Sequence, residues 1–113
     1  MKYAILVYET EQDIANRDTY MPAYNAYSQA LVEAGVMAGG AALHPSHTGT
    51  TVRLQNGQRS VQDGPYADTK EQLGGFFIID VPDLDAALEW AARCPAASNC
   101  AVEVRPLLPM NEK

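Results

Sequence analysis

The chain has little of what most recognisable chemistry is built from. Among its 113 residues are two cysteines, two histidines and one tryptophan. No CxxC pair is present, no GxGxxG and no P-loop, so neither a thiolate metal site nor a nucleotide cradle is written in the sequence. No cofactor is therefore expected, and no metal. Basic residues are also sparse. Lys2, Arg17, Arg53, Arg59, Lys70, Arg93, Arg105 and Lys113 stand against fourteen acids, for a formal charge of −6. Without a concentrated cationic stripe there is nothing to neutralise phosphates, which argues against direct nucleic-acid binding and against an anionic membrane surface. Long apolar runs are missing as well. The opening Tyr3–Tyr8 run is far short of the ~20 residues of a spanning helix and lacks a small-residue cleavage site. Cytoplasmic residence, with Cys94 and Cys100 reduced, is the expectation.

What is present suffices for one domain over 1–113. Fifty-three positions are hydrophobic, of which seventeen are Ala, and Leu, Ile, Val and Phe together supply twenty-three. Residues 2–8 read as a strand apolar on both faces: Tyr3, Ile5 and Val7 point one way, Ala4, Leu6 and Tyr8 the other. Glu9–Thr19 reads as a polar loop. Asp18 or Thr19 then caps a helix that tolerates Pro22 in its first turn and repeats Tyr20, Tyr24, Tyr27 and Leu31 before Gly35 stops it. Val36–Leu43 is a weaker strand broken by Gly39-Gly40, and His44–Gly49 a loop.

Thr50–Leu54 and Gln58–Gln62 flank Asn56-Gly57, a strong hairpin signal, and Asp63-Gly64-Pro65-Tyr66 is turn chemistry. Gly74–Val81 is again apolar on both faces. Asp83 caps a second helix striped by Leu84, Ala87, Leu88 and Ala91, Pro95 ends it, and Ala101–Leu107 closes as a strand. The order is strand, helix, strand, inserted hairpin, strand, helix, strand: an α+β, ferredoxin-like split βαβ with two helices on one face of an antiparallel sheet. The two doubly apolar strands belong in its centre. Two helices cover one face only, so the other calls for a second copy of the chain, and a homodimer is expected.

The block Asp63-Gly64-Pro65-Tyr66-Ala67-Asp68-Thr69-Lys70-Glu71-Gln72-Leu73-Gly74-Gly75-Phe76 resembles the DGPF branch of the YCII-related family, with Tyr66 where that motif usually has Phe. The likeness extends to Met1-Lys2-Tyr3, Thr51-Val52-Arg53, Leu84 through Pro95 and Val102 through Leu107. The resemblance implies a dimeric α+β barrel and, for this branch, an association with sigma factors in transcription regulation. It also implies that a proposed His/Asp dyad of the founding branch falls at about Tyr24 and Cys94, neither of which is the family's residue.

Candidate chemistry is thus thin. His44 and His47 share one loop, and histidine is the side chain best placed for proton transfer near neutrality. An acid/base site would combine His44, Asp63 and Tyr24 in a cleft between helix and sheet. Asp63 ahead of Gly64-Pro65 serves equally well to hold a turn. Arg53, Lys70 and Cys94 are candidate ligand contacts, and Arg105 another, each set against plain surface pairing or core packing. Two functions follow: a homodimeric small-ligand-binding or accessory domain tied to a sigma factor, or a small-molecule enzyme.

Overall fold

The computed structural model describes residues 1–109. Strand β1 (Lys2–Glu9) is followed by a short helix α1 (Glu11–Ala15) and the long helix α2 (Arg17–Glu33). Strands β2 (Met37–Ala42), β3 (Thr50–Gln55), β4 (Gln58–Asp63) and β5 (Gln72–Asp80) come next, then α3 (Leu84–Ala92), α4 (Pro95–Asn99) and β6 (Ala101–Pro106). The main sheet runs β2-β5-β1-β6, every neighbouring pair antiparallel, while β3 and β4 form a separate hairpin. The two strands that are apolar on both faces, β1 and β5, occupy the centre, as their patterning requires.

Alternation along β1 sorts the sheet into two faces. Tyr3, Ile5 and Val7 are buried beneath the helices with Tyr27, Leu31, Ile79, Ala87 and Ala91. Tyr27 is the keystone of that layer. Its ring packs edge-on against Phe77 at 5.2 Å between centroids and its hydroxyl donates to the Trp90 carbonyl at 2.7 Å. On the other face Leu6 pairs with Phe76 and Ala4 with Ile78, all four only half-buried and outside the core beneath the helices. The hairpin does not cover them either. It stands apart with Val52, Leu54 and Val61 exposed, and its turn at Asn56-Gly57 takes positive φ at both residues, as a two-residue hairpin demands.

Several local expectations are corrected. The stretch after β1 is not all loop. Thr10 accepts from the Asp13 amide while the Asp13 carboxylate accepts from the Thr10 amide, a reciprocal cap that starts α1. Helix α2 consequently begins at Arg17, and Pro22 sits in its second turn rather than its first. Pro95 does not end a helix but opens α4 at its first position, where a missing amide hydrogen costs nothing. The inner stripe of α3 is Ala87, Trp90 and Ala91, with Leu84 and Leu88 exposed. Asp83 does cap α3, accepting from the Ala86 amide.

Candidate functional site

A cavity of about 500 Å³ lies between α2 and the helix-side face of the sheet. That is the usual size of a small-molecule pocket. It exists because the sheet contributes almost no side chains there. Gly39 and Gly40 of β2, which pair with Ile78 and Phe77, and Gly74 and Gly75 of β5, the latter paired with Ala42, all line it, so much of the floor is bare backbone. Opposite, successive turns of α2 hang Tyr20, Met21 and Tyr24 over the glycines, with Phe77 and Met37 closing one side.

One end of the cavity is charged. The alternation that buries Tyr3, Ile5 and Val7 carries Glu9 inward too, and Glu9 is only 9% exposed. Arg17, at the start of α2, reaches back to it. Both Nε (3.0 Å) and Nη2 (2.9 Å) donate to Glu9 Oε2, and Nη1 donates to the Leu43 carbonyl at 2.6 Å. Beneath the carboxylate is Gly74, the extra residue of a β-bulge where β5 passes Val7 and Tyr8. A Cβ added at Gly74 would stand 2.5 Å from Glu9 Cδ and 2.6 Å from Oε1. The bulge and the missing side chain make room for the acid.

Of the residues singled out in the sequence, Tyr24 is on the cavity wall. Burial above all, then the nearby Cys94, Glu9 and Asp13, raise its phenol well above the ordinary range, so it stands as a neutral hydroxyl. Cys94 is buried, 1% exposed, behind Tyr24 and Tyr27, and burial pushes its thiol up as well. Cys94 and Cys100 are free thiols. The structure therefore brings Tyr24 and Cys94 into one neighbourhood, with both groups protonated at neutral pH.

The other candidates lie elsewhere. His44 is exposed just past β2 and is not on the cavity wall, although Leu43 before it accepts from Arg17. Asp63 is the exposed last residue of β4, opposite Thr50. The turn after it is held by Gly64, whose amide donates to Gly49 and whose carbonyl accepts from Thr51 Oγ1. The Arg53 guanidinium rests over the Tyr66 ring at 5.9 Å. Lys70 lines a shallow surface groove with Thr10, Glu11 and Glu71. Arg105 pairs with Glu103 on its own strand at 2.7 Å and, with Tyr8, holds that carboxyl below the usual range. Among the described residues no group of three or more His, Cys, Asp or Glu is placed to hold a metal ion, and no helix is long and apolar enough to cross a membrane.

Sequence reasoning missed Glu9, Arg17 and Gly74. The available signal was the period of two along β1, which points an acid into the core after three apolar residues. A buried acid needs a partner, and Arg17 is the first base that follows it in sequence.

Comparison with known proteins agrees with this architecture. A family model for the YCII-related domain matches residues 1–111. An uncharacterized protein of Rhizobium meliloti is 39% identical over 114 residues, covering 95% of this chain and 92% of the relative. Among solved structures, 5-chloro-2-hydroxyhydroquinone dehydrochlorinase from Burkholderia phenoliruptrix, in complex with 2,5-dihydroxybenzoquinone, superposes with a TM-score of 0.57 at 18% identity, over 96% of this chain and 94% of that one. At that identity the likeness is one of fold.

Proposed function

The chain belongs to the YCII-related family, and we propose that it is a small-molecule-binding domain whose cavity beneath α2 takes a compact, ring-shaped, largely apolar ligand. The observation that carries this is the cavity itself: about 500 Å³ of space with a glycine floor and a roof of Tyr20, Met21 and Tyr24. A flat floor facing aromatic rings suits a flat guest. The structural neighbour's bound 2,5-dihydroxybenzoquinone, one six-membered ring, supports a guest of that scale. Binding is favoured over proton-transfer catalysis through Tyr24 and Cys94, because burial leaves no base at either position at neutral pH.

The test is a chemical-shift titration with single-ring aromatics. Saturable shifts at Met21, Tyr24 and Gly75, abolished by Met21→Trp filling the cavity, are expected. Shifts spread over the surface, or unaffected by Met21→Trp, would dispose of the pocket.

A second reading has one observation behind it. Arg17 ties the Leu43 carbonyl to the charged end of the cavity, so His44 begins the segment at its mouth. With the neighbour being a dehydrochlorinase, an enzyme using His44 as base, supported by Asp63, is the alternative. Turnover of halogenated hydroquinones that survives His44→Ala would remove it.

Assembly belongs to the same proposal. The uncovered face with Leu6, Phe76 and Ile78 and the exposed hairpin apolar residues support a homodimer forming the α+β barrel. The DGPF-branch placement and a sigma-factor partner in the cytoplasm rest on the Asp63–Phe76 block. Co-purification from a native extract that recovers no sigma factor would set the partner aside.

A further inference from the structure

The charged end of the cavity carries more structure than an apolar pocket needs. Glu9 Oε2 is fully engaged by Arg17, whereas Oε1 accepts no hydrogen bond among the described residues. It is not sealed in the protein interior either, since no buried polar side-chain atom among the described residues lacks a partner. Glu9 lines the cavity, and Oε1 is the oxygen that Arg17 leaves free there. Two features hold that oxygen in place. The guanidinium fixes the other half of the carboxylate through two donors, and the missing side chain at the Gly74 bulge leaves the space that Oε1 occupies. An accessible carboxylate oxygen held in a mostly apolar pocket is a hydrogen-bond acceptor that packing alone does not require.

We infer that Glu9 Oε1 is the specificity-determining acceptor of the pocket, receiving a hydroxyl from an uncharged hydroxylated ring compound. This rests on the cavity being a ligand site, as proposed above. The opposite wall supplies the complementary group. The Tyr24 hydroxyl makes no hydrogen bond among the described residues and stands on the cavity wall as a donor. A guest with one hydroxyl to give and one oxygen to offer matches both groups, and a phenolic diol carries both on a single ring. The charge balance selects against ions. Arg17 already compensates Glu9, so an ammonium finds no free counter-charge at that oxygen, and a carboxylate placed there meets Oε1 head-on.

The experiment compares resorcinol with 1,3-dimethoxybenzene, benzoate and benzylamine on the full-length wild type and on Glu9→Gln, by heteronuclear chemical-shift titration. The wild type is expected to bind resorcinol at least about tenfold more tightly than its dimethyl ether. In Glu9→Gln that ratio is expected to shrink several-fold, while ether binding changes little. The variant-to-wild-type comparison cancels the size of the methyl groups. Equal preference for diol and ether in the wild type overturns the role of Glu9 while leaving the cavity as a binding site. Tighter binding of benzoate or benzylamine than of resorcinol overturns the neutral-ligand assignment. If none of the four shifts Tyr24 and Gly75, the pocket and the inference fall together. If Glu9→Gln does not fold, the wild-type ratio alone still overturns the role of Glu9 when diol and ether bind equally.

Discussion

Replacing Gly74 with alanine strikes the charged end of the cavity without touching either ion. The new methyl carbon would lie 2.5 Å from Glu9 Cδ, 2.6 Å from Oε1 and 2.9 Å from Cγ, so the carboxylate has to leave. Its departure breaks the two donors from Arg17 at 3.0 and 2.9 Å. The pair is well shielded, with side chains 11% and 26% exposed, so little solvent screening discounts the loss. Charge-assisted bonds contribute about 1.5–3 kcal/mol each, and the freed groups recover part of that from water, which leaves about 2–4 kcal/mol of destabilisation. For a domain of this length that corresponds to a fall in Tm of about 8–16 °C in a calorimetric scan. Gly39→Ala is the control, since a Cβ there meets Ile78 Cδ1 at an ordinary 3.6 Å, and its Tm should stay within about 4 °C of wild type. The double variant Glu9→Ala/Gly74→Ala decides the cause. With the carboxylate gone the alanine has room, so the double should melt near Glu9→Ala alone. Fully additive losses, or a Gly74→Ala protein that melts with the wild type, would refute the coupling of bulge and ion pair.

Three further outcomes follow from other parts of the molecule. Tyr27→Phe removes the donor to the Trp90 carbonyl and should cost about 1–2 kcal/mol by denaturant titration, with the midpoint shifted and the slope unchanged; no change would mean the 2.7 Å bond carries nothing. Burial holds the phenols of Tyr24 and Tyr27 above their ordinary value of 10.0, so the folded state keeps their protons when the unfolded chain loses them. The stability this contributes is complete below about pH 10 and declines as pH rises further, so two of the six tyrosines should ionise only with alkaline unfolding; all six titrating together near pH 10 in a folded protein would contradict it. If a second copy covers the open face, Leu6→Asn should shift sedimentation from dimer toward monomer while the far-ultraviolet spectrum holds, and a wild type that is monomeric at micromolar concentration would end the dimer proposal.

The elements that sequence patterning located are those with strong local signals. Two strands greasy on both faces had to be central, and Asn56-Gly57 had to be a hairpin turn, because each conclusion depends on only a few neighbouring residues. The errors have a common source. Thr10-x-x-Asp13 is a short cap signature inside a polar stretch, easily passed over when periodicity is the criterion. Pro95 is equally a stop and a start, and only the backbone after it distinguishes the two. Leu84 and Leu88 are more hydrophobic than Ala87 and Ala91, yet the alanines face the sheet, because a helix over Tyr27 and Phe77 needs small residues to approach.

The cavity was hidden for a different reason, which is that its defining residues are the ones without side chains. Gly39-Gly40 reads in sequence as a weakness in a strand, and Gly74-Gly75 as the flank of another. Only the pairing of β2 with β5, which sets Gly40 against Phe77 and Gly75 against Ala42, gathers them along one wall. There the backbones approach too closely for a side chain on the helix face: a Cβ at Gly40 would meet the Phe76 carbonyl at 2.7 Å, and one at Gly75 the Ala41 carbonyl at 2.8 Å. Glycines forced by strand contact thus empty the floor, and the long tyrosines of α2 keep the helix from sinking onto it. The same geometry explains why an acid is tolerated at the end of β1. A strand that continued its apolar alternation would bury a ninth-residue hydrophobe beneath Arg17 and close the cavity at that end. Glu9 instead leaves one oxygen to the guanidinium and one to the open space, which makes the end of the strand polar where the pocket needs a hydrogen-bond acceptor.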